Sequence, residues 1–267
     1  MKKTVFITGA SSGFGKASAL LFNGRGWNVI AAMRSPEKES ELSQLENVLV
    51  VKLDVTDSLS IDEAVKKGVK VFGNIDVLVN SAGYGLMGVF EASDEIQIKR
   101  QFDVNVFGLM EVTKAILPLM RENKSGSIIN ISSFGGVNAG AFSSLYSSSK
   151  FAVEGFSEAL SHELAFLNIA VKIIEPGSVP TNFRTGIEMI QNTIEDYNAE
   201  LASFIPKFIK RTEHLSKATA EDVAQAIWTA ATDETVKLRY VTGDDSQYYI
   251  DLKTKNTEAE YLRLMRN

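Results

Sequence analysis

Tyr146 and Lys150 stand four residues apart in the string Tyr146-Ser147-Ser148-Ser149-Lys150, and that spacing puts a phenol and an ammonium on one face of a helix. A free phenol, with a pKa of about 10, is a poor acid or base at neutral pH. A cation one turn away stabilises the phenolate and lowers that value, so the pair can pass a proton to or from a substrate oxygen. Such a string also suits an ordinary exposed helix face. Its weight comes from the residues that accompany it.

The first companion is an anion site. Thr8-Gly9-Ala10-Ser11-Ser12-Gly13-Phe14-Gly15 follows a strand-like run and precedes a helical pattern. Gly9, Gly13 and Gly15 allow a tight turn and a close backbone approach to a pyrophosphate, whose charge the free N–H groups of Ser11, Ser12 and their neighbours and the helix dipole favour. The next strand ends Ala31-Ala32-Met33-Arg34-Ser35, without the carboxylate that bonds a ribose 2′-hydroxyl and repels a 2′-phosphate. Arg34 offers a guanidinium and Ser35 a hydroxyl, so charge and hydrogen bonding both favour NADP(H). Glu37 is close enough in sequence to reach the ribose, which keeps NAD open.

The TGxxxGxG spacing together with YxxxK resembles the short-chain dehydrogenase/reductase family, from about residue 4 to 183 and more loosely to 243. The resemblance implies roles for further residues. In Leu53-Asp54-Val55, Asp54 and Val55 would meet the adenine. Asn80-Ser81-Ala82-Gly83 stands where the family commonly has NNAG, with Asn80, Ala82 and Gly83 in place. Ser133, thirteen positions before Tyr146, would hydrogen-bond the substrate oxygen, with Ser132 as its competitor. Asn105, in Asp103-Val104-Asn105-Val106-Phe107-Gly108, resembles the NVxG motif and would bind a water relaying protons towards Lys150. The string Glu175-Pro176-Gly177-Ser178-Val179-Pro180-Thr181 resembles the PGxVxT turn, which would put Pro176 and Gly177 at the nicotinamide and Val179 and Thr181 on its carboxamide. The implied reaction interconverts a carbonyl and an alcohol. Hydride passes between nicotinamide and carbon, Tyr146 exchanges a proton with the oxygen, Ser133 orients that oxygen, and Lys150 binds the nicotinamide ribose and lowers the tyrosine pKa. Two rivals stay open: an NAD-dependent alcohol dehydrogenase, and a non-catalytic protein that senses NADP(H).

These residues need a frame that brings them together. Residues 4–8, 28–33, 48–53, 75–80, 127–132, 170–175 and 238–242 read as strands, and 14–25, 59–72, 95–122, 146–166 and 220–231 as helices. The alternation predicts one α/β domain over 1–267: a Rossmann-type, doubly wound sheet of about seven parallel strands with helices on both faces. The all-apolar runs 48–51 and 77–79 predict central rather than edge strands. The pattern is interrupted at about 180–217, where Pro180 and Pro206 bracket a helical-looking stretch that reads as a substrate lid.

Tyr84, Met87, Phe134, Phe142 and Leu145, with Phe183, Ile187, Met189 and Ile190 from the lid, predict an apolar pocket for a hydrophobic ketone or alcohol. Leu109, Val112, Ile116, Val153, Phe156 and Leu160 lie on helices that pair between subunits in the family, which implies a homodimer or homotetramer; burial within one chain explains the same pattern.

Of 267 residues, 45% are hydrophobic and 23% charged, with a net charge of −5. That balance gives no basic field for a nucleic acid. With no cysteine there is no disulfide, thiolate nucleophile or cysteine-held metal, and His162 and His214 lack a ligand cluster, so no metal site is expected. Gly9, Ser11 and Ser12 break the apolar start before it reaches signal-peptide length, and no run approaches a membrane span. The expected location is the cytoplasm.

Overall fold

Along β1 (Thr4–Thr8), Val5 and Ile7 bury on one side and Phe6 on the other, as successive side chains of a strand must. Apolar residues on both faces require cover on both. The computed structural model, which describes residues 2–180 and 186–266, supplies it. Thr181 and Phe183 lie outside the described residues.

The sheet has seven parallel strands: β1, β2 (Asn28–Met33), β3 (Val48–Lys52), β4 (Val77–Asn80), β6 (Gly126–Ile131), β7 (Ile169–Pro176) and β9 (Arg239–Thr242). Their spatial order is β3-β2-β1-β4-β6-β7-β9. On the Val5 face, Phe22 of α1 (Gly13–Gly24) and Ile227 of the helix Ala220–Thr232 complete the core, and Phe22, Trp27 and Trp228 meet edge to face. On the Phe6 face, Ile61 of α2 (Ser58–Phe72), Ile116 of α4 (Gly108–Asn123) and Leu160 of α5 (Ser144–Leu164) do the same. The fold is the expected doubly wound α/β sheet.

Strand order reverses between β1 and β4, and at such a switch the two following turns diverge and leave a crevice. The Thr8 hydroxyl ties the turns together, accepting from the N–H groups of Ser81 at 3.0 Å and Ala82 at 3.1 Å.

Three expectations need correction, and one element is new. The strand at 48–52 is an edge, not a central strand. Its apolar run is explained by cover from beyond the sheet, where Leu42 and Leu45 pack beside Val48 and Val50 while Leu49 and Val51 join the opposite core. The helix expected over 95–122 is broken: α3 (Glu95–Phe102) passes through one π turn, Asp103–Phe107, into α4. Pro206 does not end a segment but sits inside the helix Asn198–Thr212; Ala202 and Pro206 are exposed, so the carbonyl that Pro206 frees can meet water. A two-stranded parallel ribbon, β5 (Leu86–Met87) with β8 (Glu188–Met189), fastens the segment after residue 186 to the turn after β4. Two residues per strand are too few to show in a sequence pattern.

No helix among the described residues is long and apolar enough to cross a membrane.

Candidate active site

The crevice is a groove of about 640 Å³. Gly9, Ser11, Ser12, Gly13 and Phe14 form one wall, Arg34, Asp54 and Val55 another, and Ala82 and Gly83 its inner end. Two glycines hold its shape. A Cβ on Gly9, whose φ is +68°, would lie 2.9 Å from the Ala82 backbone, and one on Gly15 would lie 2.4 Å from the Gly9 carbonyl oxygen. Main chain is thereby packed on main chain at the N-terminus of α1, which leaves its first turn facing the groove. An anionic, dinucleotide-sized group fits this cradle.

Arg34 is exposed on the rim. Although burial pushes the Asp54 carboxyl up, hydrogen bonds from the Thr56 N–H and hydroxyl, with the charges of Arg34 and Arg100, hold it below its usual range. Arg100 and Asp103 also line the groove, and neither is prominent in the sequence. Arg100 lies over the Tyr84 ring at 5.5 Å and 3.9 Å from Glu188.

Some expected residues lie off the groove walls. Gly15 supports the turn from beneath, and Ser35 leads into the short 3-10 turn Pro36–Lys38. Asn80 turns inward: its amide donates to Thr113 Oγ1 at 3.0 Å and Asn130 Oδ1 at 2.9 Å, and Asn130 donates on to Ser157 at 2.8 Å. That ladder locks β4, β6, α4 and α5 together. Pro176 ends β7, and Val179 packs into the core. Gly177 is held from behind by Asp245 of the helix Asp244–Thr254, since a Cβ there would meet Asp245 Oδ1 at 2.0 Å. Asp245 is fully buried and accepts the Ser178 N–H at 2.7 Å. Its only signal in the sequence is an acid in the first turn of a helix after the last strand.

Past the inner end stand Tyr146 and Lys150, both buried in the first turns of α5. A Cβ on Gly83 would lie 3.2 Å from Asn105 Oδ1 and 3.9 Å from Lys150 Nζ, so this glycine joins groove to cluster. Lys150 Nζ donates to the Ile131 carbonyl at the end of β6 at 2.8 Å and lies 5.8 Å from the Tyr146 ring centre. Burial lowers its pKa to about 8, against the charge of Glu154. The expected lowering of the Tyr146 pKa by Lys150 is not found in the resting protein: burial raises the phenol to about 12, against a hydrogen bond from Ser133. The Ser133 hydroxyl also accepts the Gly135 N–H at 3.1 Å.

Asn105 sits in the π turn, a distortion frequent at functional sites. Its side chain clamps the Tyr84 backbone, accepting the N–H at 3.0 Å and donating to the carbonyl at 2.9 Å, and donates to Ser149 Oγ at 3.2 Å. The side chain itself is thus committed to protein partners.

Phe142, Phe204, Phe208, Tyr249 and Phe134 form a continuous run of rings with centres 4.8 to 6.0 Å apart. The run joins the loops flanking Tyr146 to the helix Asn198–Thr212 and to the helix Asp244–Thr254. A second hollow, of about 420 Å³, lies between Gly88–Glu91, Phe142, Ser144 and Tyr197. Leu145 and Ile190 instead pack with Leu86, and Met189 is exposed. Leu109, Val112, Ile116, Val153 and Leu160 are buried within the one chain.

Comparison with known proteins identifies the family. The short chain dehydrogenase model matches residues 3–191. An uncharacterized oxidoreductase of Schizosaccharomyces pombe is 41% identical over 232 residues, 86% of this chain and 96% of its own. The 3-ketodihydrosphingosine reductase of Bacteroides thetaiotaomicron is 40% identical over 195 residues, 72% of this chain and 71% of its own. A short-chain dehydrogenase from Streptomyces avermitilis superposes with a TM-score of 0.86 at 33% identity, covering 99% of this chain and 96% of that one. ElxO with NADP bound gives 0.75 at 30% identity over 90% and 98%, and a Burkholderia phymatum enzyme in complex with NAD gives 0.81 at 25% over 100% and 96%. With the family model spanning most of its length and relatives above 40% identity, the chain belongs to the short chain dehydrogenase family of oxidoreductases.

Proposed function

We propose that this protein is an NADP(H)-dependent oxidoreductase that interconverts a ketone or aldehyde and an alcohol on a hydrophobic substrate, with Tyr146 as its acid/base. One observation carries the reading: a buried phenol, hydrogen-bonded by Ser133 and one helical turn from the Lys150 ammonium, lies at the inner end of a glycine-built groove. Bound nicotinamide nucleotide supplies the hydride for reduction or accepts it in oxidation.

The side chains do the rest. With its pKa raised, Tyr146 is protonated at neutral pH, the form that donates a proton to a carbonyl oxygen as its carbon gains hydride. Ser133 holds that oxygen, and Lys150 stabilises the phenolate left behind. Asn105 fixes the Tyr84 loop and Ser149, and so the geometry around Lys150.

A nucleotide would be held by Gly9, Ser11, Ser12, Gly13, Phe14 and Gly15 at its pyrophosphate, by Asp54 and Val55 at its adenine, and by Ala82, Gly83, Pro176, Gly177 and Val179 at its nicotinamide half; Thr181, expected with them, lies outside the described residues. Asn80 acts through the backbone it anchors. Arg34 and Ser35 select the 2′-phosphate, and ElxO, the relative crystallised with NADP, supports that choice. The Burkholderia complex makes NAD the rival.

The aromatic run beside Tyr146 supports an apolar substrate and a lid over about 180–217, and the Bacteroides relative is named for reducing a 3-keto compound. Phe107 and Phe151, 55% and 44% exposed at the π turn and on α5, support assembly into a homodimer or homotetramer.

The test is a panel of ketones and aldehydes supplied with NADPH or NADH. Oxidation of NADPH with at least one apolar carbonyl is expected. Tight NADPH binding with no turnover on any compound would favour a nucleotide sensor.

A further inference from the structure

Behind Lys150 lies a charged cluster that the proposed reaction does not use. Glu154 follows Lys150 by one turn of α5, Glu175 is the penultimate residue of β7, and Arg239 opens β9. Both carboxyls are buried, Glu175 to within 1% of fully. Arg239 Nε donates to Glu154 Oε2 at 3.0 Å and stands 3.6 Å from Glu175 Oε1, which sets the two carboxyls side by side. Its Nη2 donates to Glu158, at the solvent edge, at 2.6 Å. The Oε1 atom of each buried carboxyl has no hydrogen-bond donor among the described residues. Buried acceptors without a donor are costly, and two carboxyls in one site relieve the cost by keeping a proton between them.

The remaining neighbours do not remove the need for that proton. Ser132, just after β6, brings a buried hydroxyl beside Glu154, which favours the charged carboxyl, but its Oγ completes no hydrogen bond that relieves either Oε1 atom. Asp245 is engaged by the Ser178 and Ser246 N–H groups, and Ser246 Oγ reaches only the Glu175 backbone carbonyl. The facing charges are therefore Lys150 and Glu158 from α5 and Arg239 from β9.

We infer that Glu154 and Glu175 act as one carboxyl pair holding a single proton, and that the pair positions charge behind Lys150, keeping its ammonium intact as pH rises. The inference rests on the proposed role of Lys150. With one proton in the pair, its one negative charge and that of Glu158 balance Lys150 and Arg239. Burial, then the Glu154 charge, raises Glu175 to about 7, against Arg239; burial raises Glu154 as well. When pH passes that value the shared proton leaves to solvent and a second negative charge appears. Lys150, which burial has lowered to about 8, is then held charged to higher pH than one carboxylate would hold it.

Glu175→Gln tests this in the full-length protein. The glutamine amide donates to Glu154 where the shared proton lies, so the neutral pair is kept but the second charge cannot form. With NADPH and the best carbonyl of the panel, kcat should match the wild type below about pH 6.5, and the basic limb should move down by about one pH unit, roughly a tenfold deficit on that limb. Glu158→Gln should leave the limb in place. A Glu175→Gln profile lowered equally at every pH, or unchanged, would overturn the inference, as would an equal shift in Glu158→Gln. If Glu175→Gln does not fold, Glu154→Gln carries the same comparison, with the same downward shift expected. Infrared titration of the resting protein reads the proton without turnover: the wild type should show a protonated-carboxyl stretch that Glu175→Gln lacks, and its absence from the wild type would also overturn the inference. A protein that shows the stretch but turns over no carbonyl would refute the reading of Lys150 and leave the shared proton standing.

Discussion

At the outer end of the cleft, main chain packs on main chain around Gly9 and Gly15, while at the inner end buried side chains, Tyr146, Lys150, Glu154 and Glu175, crowd against one another. The first arrangement is steric at its base, main chain against main chain, with Arg34 and Asp54 carrying charge on the wall beside it. The second is electrostatic, and each of its members is shifted by burial. The difference separates two kinds of sensitivity. Added volume should damage the outer end, and altered charge the inner one.

The largest effect should come from Lys150→Met, which keeps the stem and removes the charge. kcat should fall about 10²- to 10⁴-fold, the range of a proton-transfer contribution, with NADPH affinity, read by fluorescence titration, changing far less. Equal losses in both would erase the distinction between the ends.

Next is Gly15→Ala. Its methyl group must displace the Gly9 carbonyl, at about 1–3 kcal/mol for forced overpacking. Thermal unfolding with and without NADPH should show a lower Tm and a smaller ligand-induced rise, with no movement of the pH profile.

Arg34→Asp probes charge at the outer end, where a charge-assisted hydrogen bond is worth about 1.5–3 kcal/mol. NADPH affinity should drop about 10- to 100-fold, and NADH should become the preferred cofactor. Unchanged preference would remove Arg34 from the account.

The smallest effect is on stability. Glu175 ionises at about 7 in the folded protein, above the ordinary 4.5. Its contribution to stability is full below the ordinary value and is lost as pH rises through the folded one. Tm of the wild type should therefore fall, relative to Glu175→Gln, between those two pH values.

The same contrast governs what could be read from the sequence. TGxxxGxG and YxxxK are legible because each is a local device, a turn before a helix and two side chains on one helical face. Asp245 stands 67 residues beyond Ser178, whose N–H it accepts behind Gly177, and Glu175 lies on β7 while Glu154 lies on α5, so no local spacing marks either pair. The edge position of β3 escaped because cover by Leu42 and Leu45 mimics the pattern of a central strand. The π turn at Asp103–Phe107 escaped because its residues read as ordinary helix.

The most direct test of the central claim is Tyr146→Phe, which removes one oxygen from a site whose groove is built elsewhere. NADPH dissociation constant and kcat should be measured on the same preparation. The account predicts near wild-type affinity with kcat reduced at least about 100-fold; full turnover in that variant would contradict it.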